Sequence, residues 1–233
     1  MKEIKYLIPY VIFTGFTYYF AKNGVIYASP FVFMGLRYLI AGMILLSISR
    51  KFTFNRNILY LSLMTMTSTA FWAYGLLYVS PAESAVLSYS MPLFSLPIAF
   101  FMVKEKPTHA ELIGIIIGFS GIMIYGFPLI HGFTMIGMVL TIVNAFFWGM
   151  FTVFYRKLKE EDPISINGSQ FMIGAIIMLA LSAFDFRLKM NASFAVDLVW
   201  LATLGGAVQF LLWNYMIKMS HVNRITVLAF SVP

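Results

Sequence analysis

The sequence contains no cysteine and few charged residues. The absence of cysteine excludes a disulfide framework, a thiolate metal site and a cysteine nucleophile. Charged residues make up 11% of the 233-residue chain, whereas soluble domains carry about 25%. A water-soluble globular domain is therefore not expected.

Apolar residues are instead abundant, at 61% of the sequence with 18% aromatic and a mean hydropathy of +0.85. They form stretches close to the roughly 20 residues that a helix needs to cross a bilayer. The complete stretches lie near residues 6–21, 30–49, 57–78, 84–103, 110–128, 133–154, 164–184 and 198–217, and a ninth begins near 224 and runs to Pro233. The sequence therefore predicts an all-α integral membrane protein with eight transmembrane helices and the start of a ninth.

The net charge of +7 is distributed unevenly between the predicted loops. If the N-terminus is cytoplasmic, the inner segments hold twelve of the sixteen Lys and Arg residues, and the outer segments hold Lys22, Arg187 and Lys189. This bias is typical of the positive-inside rule. The basic residues are therefore interpreted as topology determinants, and nucleic acid is not expected as a partner. The remaining one, Arg37, lies inside the second span.

The two halves of the chain resemble each other. Offsets of 141 and 134 residues align similar residues, among them Trp72 with Trp213, Tyr74 with Tyr215, Pro92 with Pro233, and Lys22 with Arg156. The first half has five spans, an odd number, so a second half that repeats it is expected to thread the membrane in the opposite sense, as in inverted-repeat transporters. We expect one repeat over residues 1–130 and the other over 131–233. The repeat also predicts a further stretch of about 45 to 60 residues after Pro233.

Two segments resemble a known family, FMGLRYLIAG at residues 33–42 and YVSPAESAVLSYSMP at residues 78–92. The similarity continues through Glu105 and the glycine series of residues 114–121, and recurs weakly over 138–233. In these features the sequence resembles the EamA-type permeases of the drug/metabolite transporter superfamily. The resemblance implies a ten-helix fold with a central cavity between two halves and both termini cytoplasmic. It also implies a prokaryotic plasma membrane protein that moves amino acids or other small metabolites, often outward.

Arg37 is the charged residue placed deepest in a predicted span. It lies about seven residues into the second span, or roughly 10 Å at 1.5 Å per residue, where an arginine costs about 2.5 to 3.5 kcal/mol. It therefore needs a partner. One interpretation is a cavity-facing cation that binds a carboxylate; the alternative is a structural role, in which it caps carbonyls of a neighbouring helix or extends toward the membrane surface.

Polar and aromatic residues four apart share a helix face, and several such pairs occupy equivalent positions in the two halves. A cavity lined by them would bind substrate, whereas packing between helices is the alternative, because buried amides avoid lipid. The residues predicted to bind substrate are Tyr10, Thr14, Arg37, Ser68, Trp72, Ser88, Asn144, Trp148, Gln170, Gln209 and Trp213.

Three further residues are candidates for gating or coupling. Glu83 begins the fourth span, where a carboxylate favours the positive end of the helix dipole; a gate or proton carrier, with Arg37 as a partner, is the other interpretation. Its counterpart in the second half is Arg224. Pro92 interrupts the fourth span and is predicted to kink it.

These features favour a transporter over an enzyme. The three histidines, His109, His131 and His221, are scattered, and no catalytic triad, HExxH pair or acidic metal cluster is visible. We expect a monomeric or homodimeric carrier in a lipid bilayer that moves neutral or zwitterionic small molecules by alternating access, with no cofactor or metal. No Asp or Glu lies deep in a predicted span, so facilitated diffusion or exchange is preferred to proton antiport. A membrane scaffold, a nonfunctional fragment or, less favoured, a membrane enzyme remain the alternatives.

Overall fold

The computed structural model describes residues 3–232, except for the side chains of Ile130 and His131. It is built of α-helices joined by short turns, and within residues 3–232 there is no β-strand. The helices are α1 (Ile4–Tyr27), α2 (Pro30–Ser49), α3 (Arg56–Gly75), α4 (Pro81–Ser88), α5 (Met91–Met102), α6 (His109–Gly126), α7 (Met135–Arg156), α8 (Pro163–Leu181), α9 (Ala192–Ala202), α10 (Gln209–Met219) and α11 (Val222–Leu228). The expected all-α class is therefore confirmed.

Among the residues that the structure describes, six helical segments are long and apolar enough to cross a membrane. They are Pro30–Ser49, Pro81–Met102, His109–Leu129, Met135–Arg156, Pro163–Phe184 and Ala192–Met219. The helices α1 and α3 have 24 and 20 residues, which is sufficient length. They fall outside the six segments because more of their side chains are polar, and part of these, such as Thr14, Thr17 and Ser68, are buried in the protein interior.

Two of these segments are helices with an internal irregularity. The helix α4 ends at Ser88 and α5 begins at Met91, so the predicted fourth span is broken just before Pro92. Proline cannot donate a backbone hydrogen bond to the preceding turn, which is why a new helix begins there. Between α9 and α10, residues Thr203–Val208 form a π-helical segment, and π-helical turns often occur at functional sites.

Several helix starts are fixed by side chains that satisfy the free N–H groups of the first turn. Ser80 and Glu83 form a reciprocal capping box at the start of α4, and Thr108 and Glu111 form another at α6. Asp162 accepts hydrogen bonds from the first turn of α8. These local signals locate the ends of the helices within an almost uniformly apolar sequence.

The molecule is apolar outside and carries much of its polarity within the bundle. Side chains such as Ile116, Ile117 and Ile124 of α6 are more than 60% exposed, which suits contact with lipid. Serine, threonine, asparagine and glutamine side chains are instead buried between helices. The most extensive helix contact is between α2 and α8, where an added Cβ at Gly42 would lie 3.1 Å from the backbone nitrogen of Met172. Such close approach of small residues is typical of helices that pack within membranes.

Candidate functional site

A central cavity of about 80 Å³ lies between the helices. This is several times the roughly 10–15 Å³ that one water molecule requires. Helices α1, α2, α3, α4, α5, α7 and α10 contribute to its wall, together with residues that directly follow α4 and α11. The lining residues are Tyr10, Thr14, Thr17, Tyr18, Arg37, Ser68, Thr69, Trp72, Ser88, Tyr89, Met91, Asn144, Trp148, Gln209, Phe210 and Ala229.

The cavity brings together nine of the eleven residues that the sequence predicts to bind substrate. They come from both halves of the chain, and they are Tyr10, Thr14, Arg37, Ser68, Trp72, Ser88, Asn144, Trp148 and Gln209. Gln170 and Trp213 are not among the lining residues. Three pairs of residues four apart therefore line the cavity with both members: Tyr10 and Thr14 of α1, Ser68 and Trp72 of α3, and Asn144 and Trp148 of α7. In the pair of α10, Gln209 lines the cavity and Trp213 does not.

Arg37 combines the two interpretations that the sequence leaves open. Its Nε donates a hydrogen bond to the carbonyl of Leu201 at 3.1 Å, and Nη2 donates to the carbonyl of Gly205 at 2.6 Å. The third nitrogen, Nη1, lies 3.7 Å from Met34 Sδ, a weak acceptor. The guanidinium therefore caps carbonyls of the α9–α10 segment while it also lines the cavity.

The carbonyls that Arg37 binds lie in or next to the π-helical segment. Small residues are needed there, because an added Cβ at Gly206 would lie 2.4 Å from the carbonyl oxygen of Leu201. At Gly205 it would lie 2.6 Å from Thr17 Oγ1 on α1. The two glycines thus permit close backbone approach, and Arg37 satisfies carbonyl groups in a region where the regular α-helical hydrogen-bond pattern is interrupted.

Aromatic rings form much of the remaining wall. The ring of Tyr18 contacts Trp72 edge to face, with centroids 5.5 Å apart, and the Arg37 guanidinium carbon lies 5.8 Å from the Trp72 centroid. Phe210 lies on another side of the guanidinium at 6.0 Å. Cations within about 6 Å of a ring face are stabilised by its negative quadrupole. The aromatic surroundings therefore help to keep a charged group within the bundle.

Hydrogen-bonded polar side chains form the rest of the cavity wall. Asn144 accepts a hydrogen bond from Ser68 Oγ at 2.8 Å through Oδ1 and donates from Nδ2 to Ser88 Oγ at 3.0 Å. Gln209 Oε1 accepts from Thr17 Oγ1 at 3.2 Å. Within the described part of the chain, Arg37 is the only charged residue that lines the cavity. The site therefore offers one positive charge, several hydrogen-bonding groups and aromatic faces.

Gln170 and Trp213 occupy positions away from the cavity surface. Gln170 is fully buried, accepts from Thr65 Oγ1 at 2.8 Å and donates to Asn167 Oδ1 at 2.6 Å. Trp213 stacks on Tyr10 with centroids 5.0 Å apart, and its Nε1 donates to Thr152 Oγ1 at 3.1 Å. Both side chains satisfy their polar groups within the protein, and Trp213 supports the cavity wall from behind.

The gating candidates lie apart from one another. The Glu83 carboxylate accepts from the backbone N–H of Ser80 at 2.6 Å, which completes the capping box and explains this residue at the start of α4. Pro92 is buried at the start of α5. Arg224 is exposed, and its Nη2 lies 3.7 Å from the carboxylate of Glu3. A backbone hydrogen bond, with a further contribution from Arg224, lowers the pKa of Glu3.

Some residues of the site escape the sequence prediction. Thr17 and Tyr18 follow Thr14 by three and four positions, so helical periodicity alone would have found them. Asp197 was placed just outside the eighth span, but it is 2% exposed within the segment Ala192–Met219, and Asn23 Nδ2 donates to its Oδ2 at 2.7 Å. The fold thus buries a carboxylate near the start of this segment, which the hydropathy boundary at residue 198 leaves outside the predicted span.

Comparisons with known proteins agree with this architecture. A relative from Acidianus ambivalens, named "Uncharacterized transporter in sor 3′region", is 51% identical over 86% of this chain and 79% of its own length. The "Uncharacterized transporter YoaV" of Bacillus subtilis is 25% identical over 97% of this chain and 83% of its own length. A solved crystal structure superposes with a TM-score of 0.82 at 17% identity, covers all of this chain and 84% of its own, and shows the same fold. The model of the EamA-like transporter family matches residues 1–127 and 135–233, and the chain therefore belongs to the EamA-like transporter family.

Proposed function

We propose that the chain is a secondary transporter that binds small neutral or zwitterionic metabolites, amino acids first among them, in the central cavity. The observation that carries this proposal is the composition of the cavity wall, with one arginine among hydroxyl, amide and aromatic groups. A site of this composition suits a small molecule that bears one anionic group.

Arg37 is the proposed binding group for a substrate carboxylate. Two of its nitrogens bond backbone carbonyls, while Nη1 has only the sulfur of Met34 as a partner among the described residues. Guanidinium–carboxylate hydrogen bonds are about twice as strong as neutral ones. A carboxylate that reached Nη1 would also balance a charge that the aromatic wall compensates only in part.

Aromatic faces are the proposed binding group for a substrate ammonium. Within the described residues no Asp or Glu lines the cavity, so an ammonium would meet rings such as Tyr18 and Trp72 instead. Cation–π contacts contribute about 2 kcal/mol when they are desolvated. This arrangement favours a zwitterion, whose two charges are both accommodated, over a dication or a polyamine.

The proposed mechanism is alternating access between two repeats of opposite orientation, residues 1–130 and 131–233. The family model matches two segments of the chain that divide near the same point, and the cavity wall draws on helices from both. In inverted-repeat carriers, rocking of one half against the other opens a central site to either side. The positive-inside bias favours a cytoplasmic N-terminus and, with the family resemblance, a role in the cell membrane, with export as the favoured direction.

Flux into proteoliposomes tests the proposal. The purified chain is reconstituted, a pool of radiolabelled amino acids is added, and accumulation is compared with protein-free vesicles. We expect saturable uptake that an excess of unlabelled pool abolishes. The matched control is Arg56→Met, which removes an exposed arginine far from the cavity, and its flux should equal that of the unmodified chain. Uptake no greater than in protein-free vesicles would contradict the amino acid assignment.

A further inference from the structure

Near its C-terminal end, α1 is attached to the end of α3 by a lysine. Lys22 Nζ donates hydrogen bonds to the carbonyl of Leu76 at 2.5 Å and to that of Val79 at 3.0 Å. Leu76 directly follows α3, and Val79 lies in the turn before α4. We call this group of three residues the outer clasp, because the charge pattern places it on the outer side. A lysine is well suited to this position, since the last carbonyls of a helix lack partners and carry partial negative charge.

The C-terminal end of α7 is attached to the end of α10 by an arginine. Arg156 Nη1 donates to the carbonyls of Ile217 at 2.7 Å and Lys218 at 3.2 Å. Its Nε also donates to Glu105 Oε1 at 2.8 Å, and Glu105 Oε2 accepts from the backbone N–H of Val222 at the start of α11. We call these five residues the inner clasp. It joins four chain segments, whereas the outer clasp joins two.

The two clasps connect equivalent positions of the two halves. The offset of 134 residues that relates α1 to α7 brings Lys22 onto Arg156, and the offset of 141 that relates α3 to α10 brings Leu76 onto Ile217. The equivalence therefore covers both the cation and a carbonyl that it binds. These offsets are read from the sequence, and the structure places a cation–carbonyl contact at both of the positions that they relate.

A second pair of equivalent contacts lies one helical turn closer to the cavity. Four residues before Lys22 and Leu76, the rings of Tyr18 and Trp72 meet edge to face at 5.5 Å. Four residues before Arg156 and Ile217, the Trp213 indole N–H donates to Thr152 Oγ1 at 3.1 Å. The same two offsets relate Tyr18 to Thr152 and Trp72 to Trp213. Each side of the molecule thus has a tryptophan contact near the cavity and a cation–carbonyl contact beyond it.

We propose that Lys22 and Arg156 are the gating residues of the transporter, and that the outer and inner clasps open alternately. The proposal rests on the proposed transport function. Outward opening separates α1 from α3 and breaks the Lys22 contacts, while inward opening separates α7 from α10 and breaks the Arg156 contacts. Because Tyr18 and Trp72 line the cavity, a bound molecule contacts the layer directly beneath the outer clasp.

The two clasps differ in strength, and this difference determines which gate of the substrate-free protein opens more readily. The outer clasp has one cation on two neutral carbonyls, whereas the inner clasp adds the ion pair of Arg156 with Glu105, whose two side chains are 15% and 11% exposed. Both clasps contain charge-assisted hydrogen bonds to carbonyls, and the inner clasp has in addition a bond between two charged side chains. The outer gate is therefore expected to open more readily than the inner gate.

The absence of cysteine allows a direct accessibility test. A single probe cysteine, Ser88→Cys, is placed in the cavity wall, and its reaction with a membrane-impermeant methanethiosulfonate cation is timed in right-side-out and inside-out vesicles. Lys22→Met or Arg156→Met is then added to this parent. The matched controls are Lys189→Met and Lys51→Met, which remove exposed lysines on the outer and inner sides.

We expect Lys22→Met to raise the labelling rate about tenfold from the outer side only, as the loss of a charged hydrogen bond would. Arg156→Met should raise it from the inner side only, and both controls should label like the parent. Unchanged rates in both variants, or a rise on the same side in both, would overturn the proposal. If a methionine variant does not give a monodisperse protein, Lys22→Gln and Arg156→Gln are used with the same criterion. The labelling requires no substrate, so a chain that fails in the flux assay can still support or contradict the gates.

Discussion

At the scale of single residues, Arg37 has two requirements to meet. Its charge must be stabilised within an apolar bundle, and its hydrogen bonds to Leu201 and Gly205 leave part of the guanidinium for a ligand. A cation with only a structural role would be surrounded by partners on every side. The location of Arg37 in the wall of the cavity instead gives one side chain both a structural and a proposed binding role.

Replacement of Arg37 should therefore affect transport more than membrane insertion. We expect Arg37→Met to lower amino acid flux at least about tenfold, because charged hydrogen bonds contribute about 1.5 to 3 kcal/mol each. Arg37→Lys retains the charge but not the fork of donors, so its flux should be intermediate. Both are measured in proteoliposomes at equal protein content. Flux equal to that of Arg56→Met would contradict a binding role.

Trp72 and Trp213 occupy equivalent positions in the sequence but different environments in the structure. Trp72 lines the cavity, whereas Trp213 is fully buried and hydrogen-bonded to Thr152. We expect Trp72→Phe to raise the apparent KM about threefold with little loss of stability, since a ring contact contributes about 0.5 to 1.5 kcal/mol. Trp213→Phe should instead lower the thermal unfolding midpoint in detergent. An equal effect of both variants on KM would show that Trp213 also reaches the substrate.

At the scale of helices, the π-helical segment between α9 and α10 determines where Arg37 finds its partners. An added Cβ at Gly206 would lie 2.4 Å from the Leu201 oxygen, which is backbone and cannot rotate away. We therefore expect Gly206→Ala to displace this carbonyl and to lower the unfolding midpoint by about 5 °C, since overpacking costs about 1 to 3 kcal/mol. Gly121→Ala on α6 is the control, because nothing lies within 4 Å of its added Cβ. An unfolding midpoint equal to that of the control would mean that the π-helical segment accommodates the added methyl group without loss of stability.

The same segment shows what the sequence could and could not predict. Hydropathy located an eighth span at 198–217, but the helix runs from Ala192 to Met219 with a π-helical turn inside it. A shift in hydrogen-bond register leaves apolarity unchanged, so no pattern of residue types reveals it. The residues near Pro92 behave differently, because proline itself dictates a break, and a break is found there.

The cavity residues follow a similar division. Spacing of four identified Tyr10 with Thr14 and Ser68 with Trp72, because the helical period brings such pairs to one face. The spacing could not show which buried amides face the cavity, because Asn144 and Gln170 both accept hydrogen bonds from buried hydroxyl groups. That choice depends on the rotation of each helix against its neighbours, which packing sets and sequence periodicity does not.

At the scale of the whole molecule, the arrangement of charges is as informative as the cavity. Lys22 binds carbonyls at one end of the bundle, and Arg156 binds carbonyls and Glu105 at the other. Arg156, one of the charges from which the positive-inside rule predicts the orientation, thus also holds helix ends together. Fewer substitutions should be tolerated at a residue that serves both the orientation and the attachment of helix ends than at a residue that serves one of them.

Orientation is consequently the property on which the proposed gates depend, and it can be measured without knowledge of the substrate. The charge bias predicts that the turn after α2 is cytoplasmic and that the turn before α9 is external. In a chain with no cysteine, Lys51→Cys should react with an impermeant maleimide only in inside-out vesicles, and Lys189→Cys only in right-side-out vesicles. Both residues are exposed and lie outside the helices, so folding should be unaffected. The reverse pattern would leave the fold and the two clasps unchanged but would exchange their assignments as outer and inner gates. Labelling of both positions from the same side would instead contradict the odd number of membrane crossings between residues 51 and 189 on which the inverted repeat depends.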